Sequence, residues 1–271
     1  MYNKAGLQEI TVIKNVQVLR ALAALMVICV HLRGLLGTLG LPVFGGGGVD
    51  LFFVISGFIM VFTTRIRTPT SMQFVINRIT RVAPIYWVMT LAAFTATGLA
   101  PFLIRNTSDY DVVNLVKSLF FIPYAKSNGL VQPVLFVGWT LNYEMFFYVL
   151  FAVGLGMRRY IAGLTGVLAI LSSLVLIGLL PHDPDILLDF YTRPIILEFA
   201  LGMGVALLVD HLPSQPSVKS RIFAFGSLAF LPAIILAPLA WPSVSSLFTA
   251  GLPAMVPVSY THLTLPTTPY V

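Results

Sequence analysis

A histidine and an arginine lie eleven residues apart in one apolar stretch, RALAALMVICVH, which begins at Arg20 and ends at His31. Eleven residues of α-helix rise about 16 Å and return to within about 20° of the starting direction, so the two side chains share one face. An imidazole can take the proton of an attacking hydroxyl or carry an acyl group itself. The spacing therefore indicates a reacting imidazole at one depth and a cation nearer the other end. A snorkelling arginine with an interfacial histidine would give the same pattern.

A carboxylate in the next apolar stretch is a candidate to orient that imidazole. Asp50 lies in GGGGVDLFFVISGF, residues 45–58, and is expected at about the depth of His31. Gly57, seven residues further on, falls on the same helical stripe and permits close helix approach. A carboxylate beside an imidazole fixes its tautomer and stabilises the imidazolium that forms. Capping of a helix by Asp50 after the glycines is the alternative.

A second carboxylate lies on a polar stripe. Thr140, Glu144 and Tyr148 repeat every four residues in an otherwise apolar stretch, so they share one helical face that must meet protein or a cavity. Glu144 is the other candidate to orient the imidazole, and a purely structural hydrogen bond is its alternative role. Arg193 and Glu198 in a later apolar stretch are predicted to form a structural pair.

Two arginines three residues apart form the remaining cluster. Arg78 and Arg81 share a helical face that is predicted to lie at the cytoplasmic surface. A planar guanidinium binds phosphate with two parallel hydrogen bonds, so this pair suggests a phosphorylated cytosolic ligand. The alternative is that the pair binds no ligand. Together with Arg65 and Arg67, it would then serve only to keep this end of the spans on the cytoplasmic side of the membrane.

The composition decides what kind of protein must position these residues. Of 271 residues, 58% are hydrophobic and only 10% are charged, which is typical of a polytopic membrane protein. The net charge of +6 comes from basic residues in short gaps, so no nucleic-acid partner is expected. The single cysteine, Cys29, permits no intramolecular disulfide, and no metal site is predicted.

The apolar stretches predict an all-α fold, a transmembrane helix bundle of seven spans and a partial eighth. Residues 115–124 are too short to span and are predicted to form an interfacial or re-entrant helix. The spans are predicted at residues 16–36, 47–64, 82–104, 134–154, 160–180, 190–209 and 221–240, with 243–257 beginning the eighth.

The distribution of lysine and arginine predicts a cytoplasmic N-terminus, because ten of them fall in alternate gaps on one side and four on the other. The ten predicted inner residues are Lys4, Lys14, Arg65, Arg67, Arg78, Arg81, Arg158, Arg159, Lys219 and Arg221, and the four outer ones are Arg33, Arg105, Lys117 and Lys126.

The last fourteen residues, VSYTHLTLPTTPYV, interrupt the eighth apolar stretch. This string resembles the translation of a transposon-type sequencing adapter. Residues 258–271 are therefore predicted to be a non-native tail, and residues 1–257 a C-terminally truncated transmembrane domain. A natural polar tail is the alternative.

Four motifs in order resemble the membrane acyltransferase 3 family, and most closely its exopolysaccharide acetyltransferase branch. They are the arginine and histidine separated by ten residues, then GVDLFFVISGF, RITRVAPIYW and GWTLNYEMFFY, and the resemblance runs over residues 14–202 at least. Members of this family are polytopic O-acyltransferases that modify bacterial surface and secreted glycans. They usually have about ten spans, which is consistent with a truncated chain.

The resemblance implies the reaction partners. Acyl-CoA, most often acetyl-CoA, would be the cytosolic donor substrate, with no permanently bound cofactor. The acceptor would be a hydroxyl of a cell-surface or secreted polysaccharide, or of its lipid-linked precursor. The protein would be a multi-pass component of the inner membrane, held in its lipid bilayer. The oligomeric state stays open.

The resemblance also implies residue roles. Arg78 and Arg81 would hold the phosphates of CoA, and Arg20 would line the route of the acyl arm. His31 would act as general base or as transient acyl carrier, oriented by one of the two carboxylates described above. Ser56 would either donate a hydrogen bond to the oxyanion or serve as a helix-contact serine.

Two other classes of function compete with an enzyme. The first is a transporter or flippase for a glycan or lipid precursor, in which buried charges line a translocation path. The second is a lipid-binding or scaffold protein whose polar residues are structural. The sequence shows no internal repeat, and transporters are commonly built from inverted repeats, so the enzyme is favoured.

Overall fold

The computed structural model describes residues 4–39, 47–99 and 110–209. In these ranges the chain is helical, apart from loops and one isolated bridge between Ala125 and Val131, so the all-α prediction is confirmed there. The helices are α1 Lys4–His31, α2 Arg33–Thr38, α3 Gly48–Arg67, α4 Ser71–Leu99, α5 Val112–Leu119, α6 Trp139–Leu155, α7 Tyr160–Gly178, α8 Ile186–Tyr191 and α9 Leu197–Val209. Short 3-10 turns, Phe136–Gly138 and Pro194–Ile196, precede α6 and α9.

Four of these helical stretches are long and apolar enough to cross a membrane, namely Gly48–Arg67, Ser71–Leu99, Phe136–Leu155 and Tyr160–Gly178. Two shorter apolar stretches, Val16–His31 and Pro194–Leu208, belong to the predicted first and sixth spans. This agrees with a membrane helix bundle. The predicted spans at 221–240 and 243–257 and the predicted non-native tail lie outside the described residues.

Helix α4 begins eleven residues before the predicted start of the third span, at Ser71 instead of residue 82. A capping box starts it: Thr70 N donates to Gln73 Oε1 over 3.1 Å, and Gln73 N donates to Thr70 Oγ1 over 3.2 Å. Arginine is a good helix former, so the helix continues through Arg78 and Arg81. Both arginines therefore lie on one continuous helix, and their predicted position at the cytoplasmic surface stays a prediction.

The predicted sixth span is broken near its start. Helix α8 ends at Tyr191, and α9 begins at Leu197 after a 3-10 turn that starts at Pro194. Proline has no N–H to donate and disfavours a helical conformation at the residue before it, here Arg193. The continuous apolar composition concealed this break.

The short helix predicted at residues 115–124 is present in part as α5, which covers Val112–Leu119 and packs on the middle of α4. The Tyr86 hydroxyl donates to the Ser118 carbonyl over 3.1 Å, and Trp87 Nε1 donates to the Leu119 carbonyl over 2.9 Å. The ring of Tyr86 also stacks on Phe121, with ring centroids 4.8 Å apart. Helix α5 is therefore held against the middle of α4 by two hydrogen bonds and a ring contact.

A buried serine fastens the loop that follows α5. The Ser118 hydroxyl donates to the Asn114 carbonyl over 2.8 Å, accepts from Val134 N over 2.9 Å and lies 3.2 Å from the Tyr124 hydroxyl. Ser118 is fully buried. One hydroxyl thus joins helix α5 to two separate parts of the loop that leads to α6.

The chain divides into two compact units. Among the described residues, the first unit contains α1, α2, α3 and α9, and the second contains α4 to α8.

Within the first unit, glycines allow α3 and α9 to pack backbone against backbone. A Cβ on Gly57 would overlap the Phe199 carbonyl, and a Cβ on Gly202 would overlap the Val54 carbonyl. The rings of Phe53 and Phe199 stack beside this contact, with centroids 4.5 Å apart. The close approach predicted at Gly57 is confirmed, and the helix that approaches is α9.

Substitution at this contact gives a direct test. We expect Gly202→Ala to destabilise the protein by about 1–3 kcal/mol, because the added methyl group forces the two backbones apart. Gly204→Ala, two residues along the same helix, has open space at its Cβ position and should have almost no effect. Thermal unfolding of both variants in detergent measures the difference, and equal unfolding temperatures would contradict the packing.

The connection between α7 and α8 contains a histidine with both ring nitrogens engaged. His182 Nδ1 lies 2.8 Å from the Leu180 carbonyl, and Nε2 lies 2.8 Å from Asp189 Oδ1. Both partners accept hydrogen bonds, so the doubly protonated imidazolium is the form that satisfies both. The hydrogen bond to Leu180, first, and the one to Asp189 raise the pKa of His182 above its ordinary value of 6.5, and Asp185 adds to the effect.

The raised pKa fixes the direction of a pH effect. Because folding favours the protonated imidazole, this contact stabilises the loop fully below pH 6.5, and the stabilisation is lost as pH rises through the raised value. We expect amide hydrogen exchange in residues 179–189, corrected for the intrinsic dependence on pH, to show less protection at pH 8.5 than at pH 5.5. The change should disappear in His182→Ala and persist in Asp183→Asn. An unchanged response in His182→Ala would contradict it.

Candidate functional site

Helix α1 is continuous and carries both Arg20 and His31. Arg20 is half-buried, and His31, the last residue of the helix, is exposed. Helical periodicity places their shared face directly beside the buried stripe of α1. That stripe consists of Val16, Leu19, Ala23 and Met26.

The beginning of α3 packs against this part of α1. A Cβ on Gly48 would lie 2.9 Å from the Ala23 carbonyl and 3.0 Å from a methyl group of Val27. Val27 is seven residues after Arg20 and four before His31, so it belongs to their face. The absence of a side chain at Gly48 therefore brings α3 to α1 in the interval between the cation and the imidazole.

Asp50 follows Gly48 by two residues, so it lies near the end of α3 that packs on α1. The prediction that Asp50 lies at about the depth of His31 and orients its imidazole stays a prediction.

The Asp50 carboxylate is buried and incompletely satisfied. Its side chain is 3% exposed, and among the described residues its Oδ1 atom has no hydrogen-bond partner. The N-cap of α3 is Gly47, so Asp50 belongs to the first turn and does not cap the helix. A buried acceptor without a donor costs about 1–3 kcal/mol, which a ligand or an added proton would recover.

A second group of charged residues lies in the second unit, where an arginine of α4 stacks on two rings. The Arg78 guanidinium carbon lies 5.3 Å from the ring centroid of Phe74 and 5.9 Å from that of Tyr148. Phe74 is one turn before Arg78 on the same helix, and Tyr148 comes from α6. Such contacts hold a cation in an apolar setting by the negative faces of the rings.

The hydroxyl of Tyr148 donates a hydrogen bond to Glu144 Oε1, one turn earlier on α6. Tyr148 is 4% exposed, and its ring meets that of Phe74 edge-on at 6.2 Å. Arg78 and Arg81 both interact electrostatically with the Tyr148 hydroxyl, and Arg81 is exposed. Arg78 and Glu144 therefore both contact Tyr148, and the charge of Arg81 acts on its hydroxyl.

The residues that meet around Tyr148 are not grouped as the sequence predicted. Arg78 and Arg81 were predicted as a pair, and Glu144 as a possible partner of the imidazole. Within the second unit, Tyr148 contacts both Glu144 and Arg78. Tyr148 was predicted on a polar stripe with Glu144, but Phe74 was not predicted as part of the site. The spacing of four residues between Phe74 and Arg78 is the signal that indicates a stacked pair.

The other sequence candidates lie as follows. Ser56 is half-buried on α3, and Glu198 is fully buried near the start of α9. The Arg193 guanidinium lies 6.0 Å from the ring centroid of Phe190. Its predicted pairing with Glu198 stays a prediction. Among the described residues, no cluster of three or more His, Cys, Asp or Glu side chains could hold a metal ion.

An apolar bundle with charged residues held inside its helices defines an integral membrane protein with polar sites in its interior. The profile of the acyltransferase domain matches residues 13–268. The chain therefore belongs to the acyltransferase 3 family, and the resemblance found from its motifs is confirmed.

Similarity to one known protein indicates to which branch of the family the chain belongs. The chain is 41% identical over 185 residues to the exopolysaccharide production protein ExoZ of Rhizobium meliloti (strain 1021). This alignment covers 66% of the chain and 56% of ExoZ, so the chain spans just over half the length of that relative. No solved structure matches the chain.

Proposed function

We propose that this protein is a membrane O-acyltransferase that moves an acyl group, in the simplest case acetyl, from cytosolic acyl-CoA to a hydroxyl of an exopolysaccharide or its lipid-linked precursor. Membership of the acyltransferase 3 family supports the reaction class. The printed function of ExoZ, exopolysaccharide production, supports the acceptor class.

The observation that carries the proposal is the face shared by Arg20 and His31. The two side chains lie on one continuous helix, about 16 Å apart along its axis. Glycine packing brings the start of α3 against the interval between them. A long, flexible pantetheine arm could extend over such a distance, with the cation at its entrance and the imidazole at its reactive end.

The donor phosphates are assigned to the arginines of α4. Arg78 and Arg81 lie three residues apart on one helical face, and Arg78 is held in place by two aromatic rings. Stacking uses the face of a guanidinium, whereas phosphate binding uses its edge, so one arginine can do both. The pyrophosphate of CoA is the ligand for which such a pair is suited.

The reaction follows from these assignments. His31 takes the proton from the acceptor hydroxyl as the oxygen attacks the thioester carbonyl. A carbon–oxygen bond forms, the carbon–sulfur bond breaks, and the CoA thiolate leaves and receives the proton from His31. The products are an ester and free CoA. In the acyl-carrier alternative His31 bonds to the acyl group first and passes it on.

The carboxylates complete the proposed site. Asp50 offers a buried oxygen that needs a donor, and an imidazolium, a hydroxyl or a proton can supply one. Glu144 is the second candidate to orient the imidazole, and its hydrogen bond to Tyr148 sets its position within the second unit. Substitution of Asp50 and of Glu144 in separate variants, with acyl transfer measured in each, shows which carboxylate orients the imidazole.

The imidazole gives the first test of function. We expect His31→Ala to lower acyl transfer by about 10²- to 10⁴-fold, because general-base catalysis contributes this much. The measurement is the acetyl content of exopolysaccharide in a strain that carries the variant in place of the wild type. Cys29→Ala on the same helix should retain full acetylation. Full acetylation by an equally abundant His31→Ala protein would contradict the catalytic role.

The arginine pair gives the second test. We expect the double variant Arg78→Ala with Arg81→Ala to raise the KM for acyl-CoA by at least about tenfold, because each charge-assisted hydrogen bond contributes about 1.5–3 kcal/mol. The KM for the acceptor should stay unchanged. Arg158→Ala with Arg159→Ala removes two exposed arginines between α6 and α7 and is the matched control. An unchanged dependence on acyl-CoA in the first double variant would exclude the phosphate role.

A further inference from the structure

Arg193 is exposed at the break between α8 and α9, and the backbone on both sides of it is fixed. Thr192, immediately before it, is buried, and its N–H donates to the Leu188 carbonyl over 3.0 Å. Pro194, immediately after it, disfavours a helical conformation at Arg193. The Arg193 carbonyl then accepts from Ile196 N over 3.2 Å. A cation in an otherwise apolar stretch is costly, so it is a candidate for function.

Two aromatic residues also hold the side chain of Arg193. Its guanidinium carbon lies 6.0 Å from the ring centroid of Phe190, and its charge acts on the Tyr143 hydroxyl. The rings of Phe190 and Tyr143 are buried and stack with their centroids 4.0 Å apart. Contact with a ring uses the face of a guanidinium, whereas its edge carries the N–H donors that fit an oxyanion. Because the side chain is already positioned, it loses less freedom when an anion binds.

The acidic residue that precedes Arg193 by one turn has another partner. Asp189 Oδ1 lies 2.8 Å from Nε2 of His182. The negative group that uses the edge of the Arg193 guanidinium is then a ligand or, as the sequence predicted, Glu198. These two assignments differ in what the loss of Arg193 does to the binding of an anion.

The surface beside Arg193 is apolar. A Cβ on Gly178 would lie 2.5 Å from the side chain of Thr192, so the end of α7 packs against the residue before Arg193. Leu179 and Leu180, which follow Gly178, are both exposed. Exposed apolar surface beside a cation is typical of a site for an amphiphilic ligand at a membrane. An anion that reaches Arg193 here is therefore expected to carry a lipid chain.

Arg193 is separate from the arginines assigned to the donor. Tyr143 and Tyr148 are five residues apart on α6, so their side chains point about 140° apart around the helix. Gly178 is the last residue of α7, and Arg159 immediately precedes the first. Since Arg159 is predicted on the cytoplasmic side, the opposite end of α7, beside Arg193, is expected on the outer side.

We propose that Arg193 binds the phosphate of a lipid-linked glycan precursor, and that this precursor is the form of the acceptor on which the protein acts. The inference rests on the proposed function, in which the acceptor is an exopolysaccharide or its lipid-linked precursor. A polyprenyl-linked glycan joins an apolar chain to its sugars through phosphate or diphosphate. This ligand combines the two features that the surface offers, a guanidinium and an adjoining apolar end of α7.

The experiment compares two probes that differ only in the anion, farnesyl diphosphate and farnesol. Their equilibrium binding is measured with the purified full chain in nanodiscs of phosphatidylcholine. We expect the wild type to bind the diphosphate at least about tenfold more tightly than the alcohol, because charge-assisted hydrogen bonds add to the affinity. Arg193→Gln should bind both probes about equally. Arg193→Lys should keep part of the preference, since it keeps the charge but loses the planar fork.

Arg158→Gln is the matched control, because it removes an exposed arginine at the other end of α7 and should keep the full preference. Loss of a structural pair between Arg193 and Glu198 would weaken the binding of both probes alike. An unchanged ratio of the two affinities in Arg193→Gln would therefore overturn the proposal. Phosphatidylglycerol in the nanodiscs should not abolish the preference of the wild type. If it does, the site binds any lipid phosphate and the acceptor role is wrong.

Acetylation of exopolysaccharide tests the proposed function separately. If the wild type transfers acetyl groups and Arg193→Gln keeps its preference for the diphosphate, only the role of Arg193 is wrong. If the wild type prefers the diphosphate but transfers no acetyl group, the proposed function is wrong, and the acceptor role falls with it. The two failures are therefore distinguishable.

Discussion

Every ionisable side chain inside an apolar helix needs a partner, and this requirement organises the structure. Arg78 meets it with two aromatic rings, and Glu144 meets it with a tyrosine hydroxyl. Asp50 meets it only in part, since one of its oxygens is buried without a donor in the described part of the chain. The cost of burying charge makes such residues rare in membranes, so those that occur are the natural places to look for function.

Glycine supplies the complementary constraint, because the charged residues can act only if the helices that carry them approach closely. Gly48 brings α3 to α1 beside the face of Arg20 and His31, and Gly57 and Gly202 bring α3 to α9. In lipid, such contacts replace the hydrophobic effect as the main source of helix association. The first unit therefore has a register fixed by backbone contacts and not by the ends of its apolar stretches.

The sequence predicted the helical class, the family and the polar stripes, because hydropathy, ordered motifs and a 3.6-residue period are local properties. It was incomplete where a helix extends beyond its apolar stretch. The third span was predicted from residue 82, whereas the capping box at Thr70 starts helix α4 at Ser71. Pro194 breaks an apolar stretch that composition alone makes continuous. The relative depth of Asp50 and His31 depends on interhelical register, which no single stretch encodes.

The buried serine of α5 has a consequence for how its loop can move. A loop in which each residue makes its own separate contacts can open locally, one residue at a time. Here the Ser118 hydroxyl serves Asn114, Tyr124 and Val134 together, while its carbonyl accepts from Tyr86 of α4. Breaking any one of these bonds leaves a polar group without its partner in a buried place, so partial opening is disfavoured. The contacts of the segment from α5 to the start of α6 therefore depend on one another through a single buried residue.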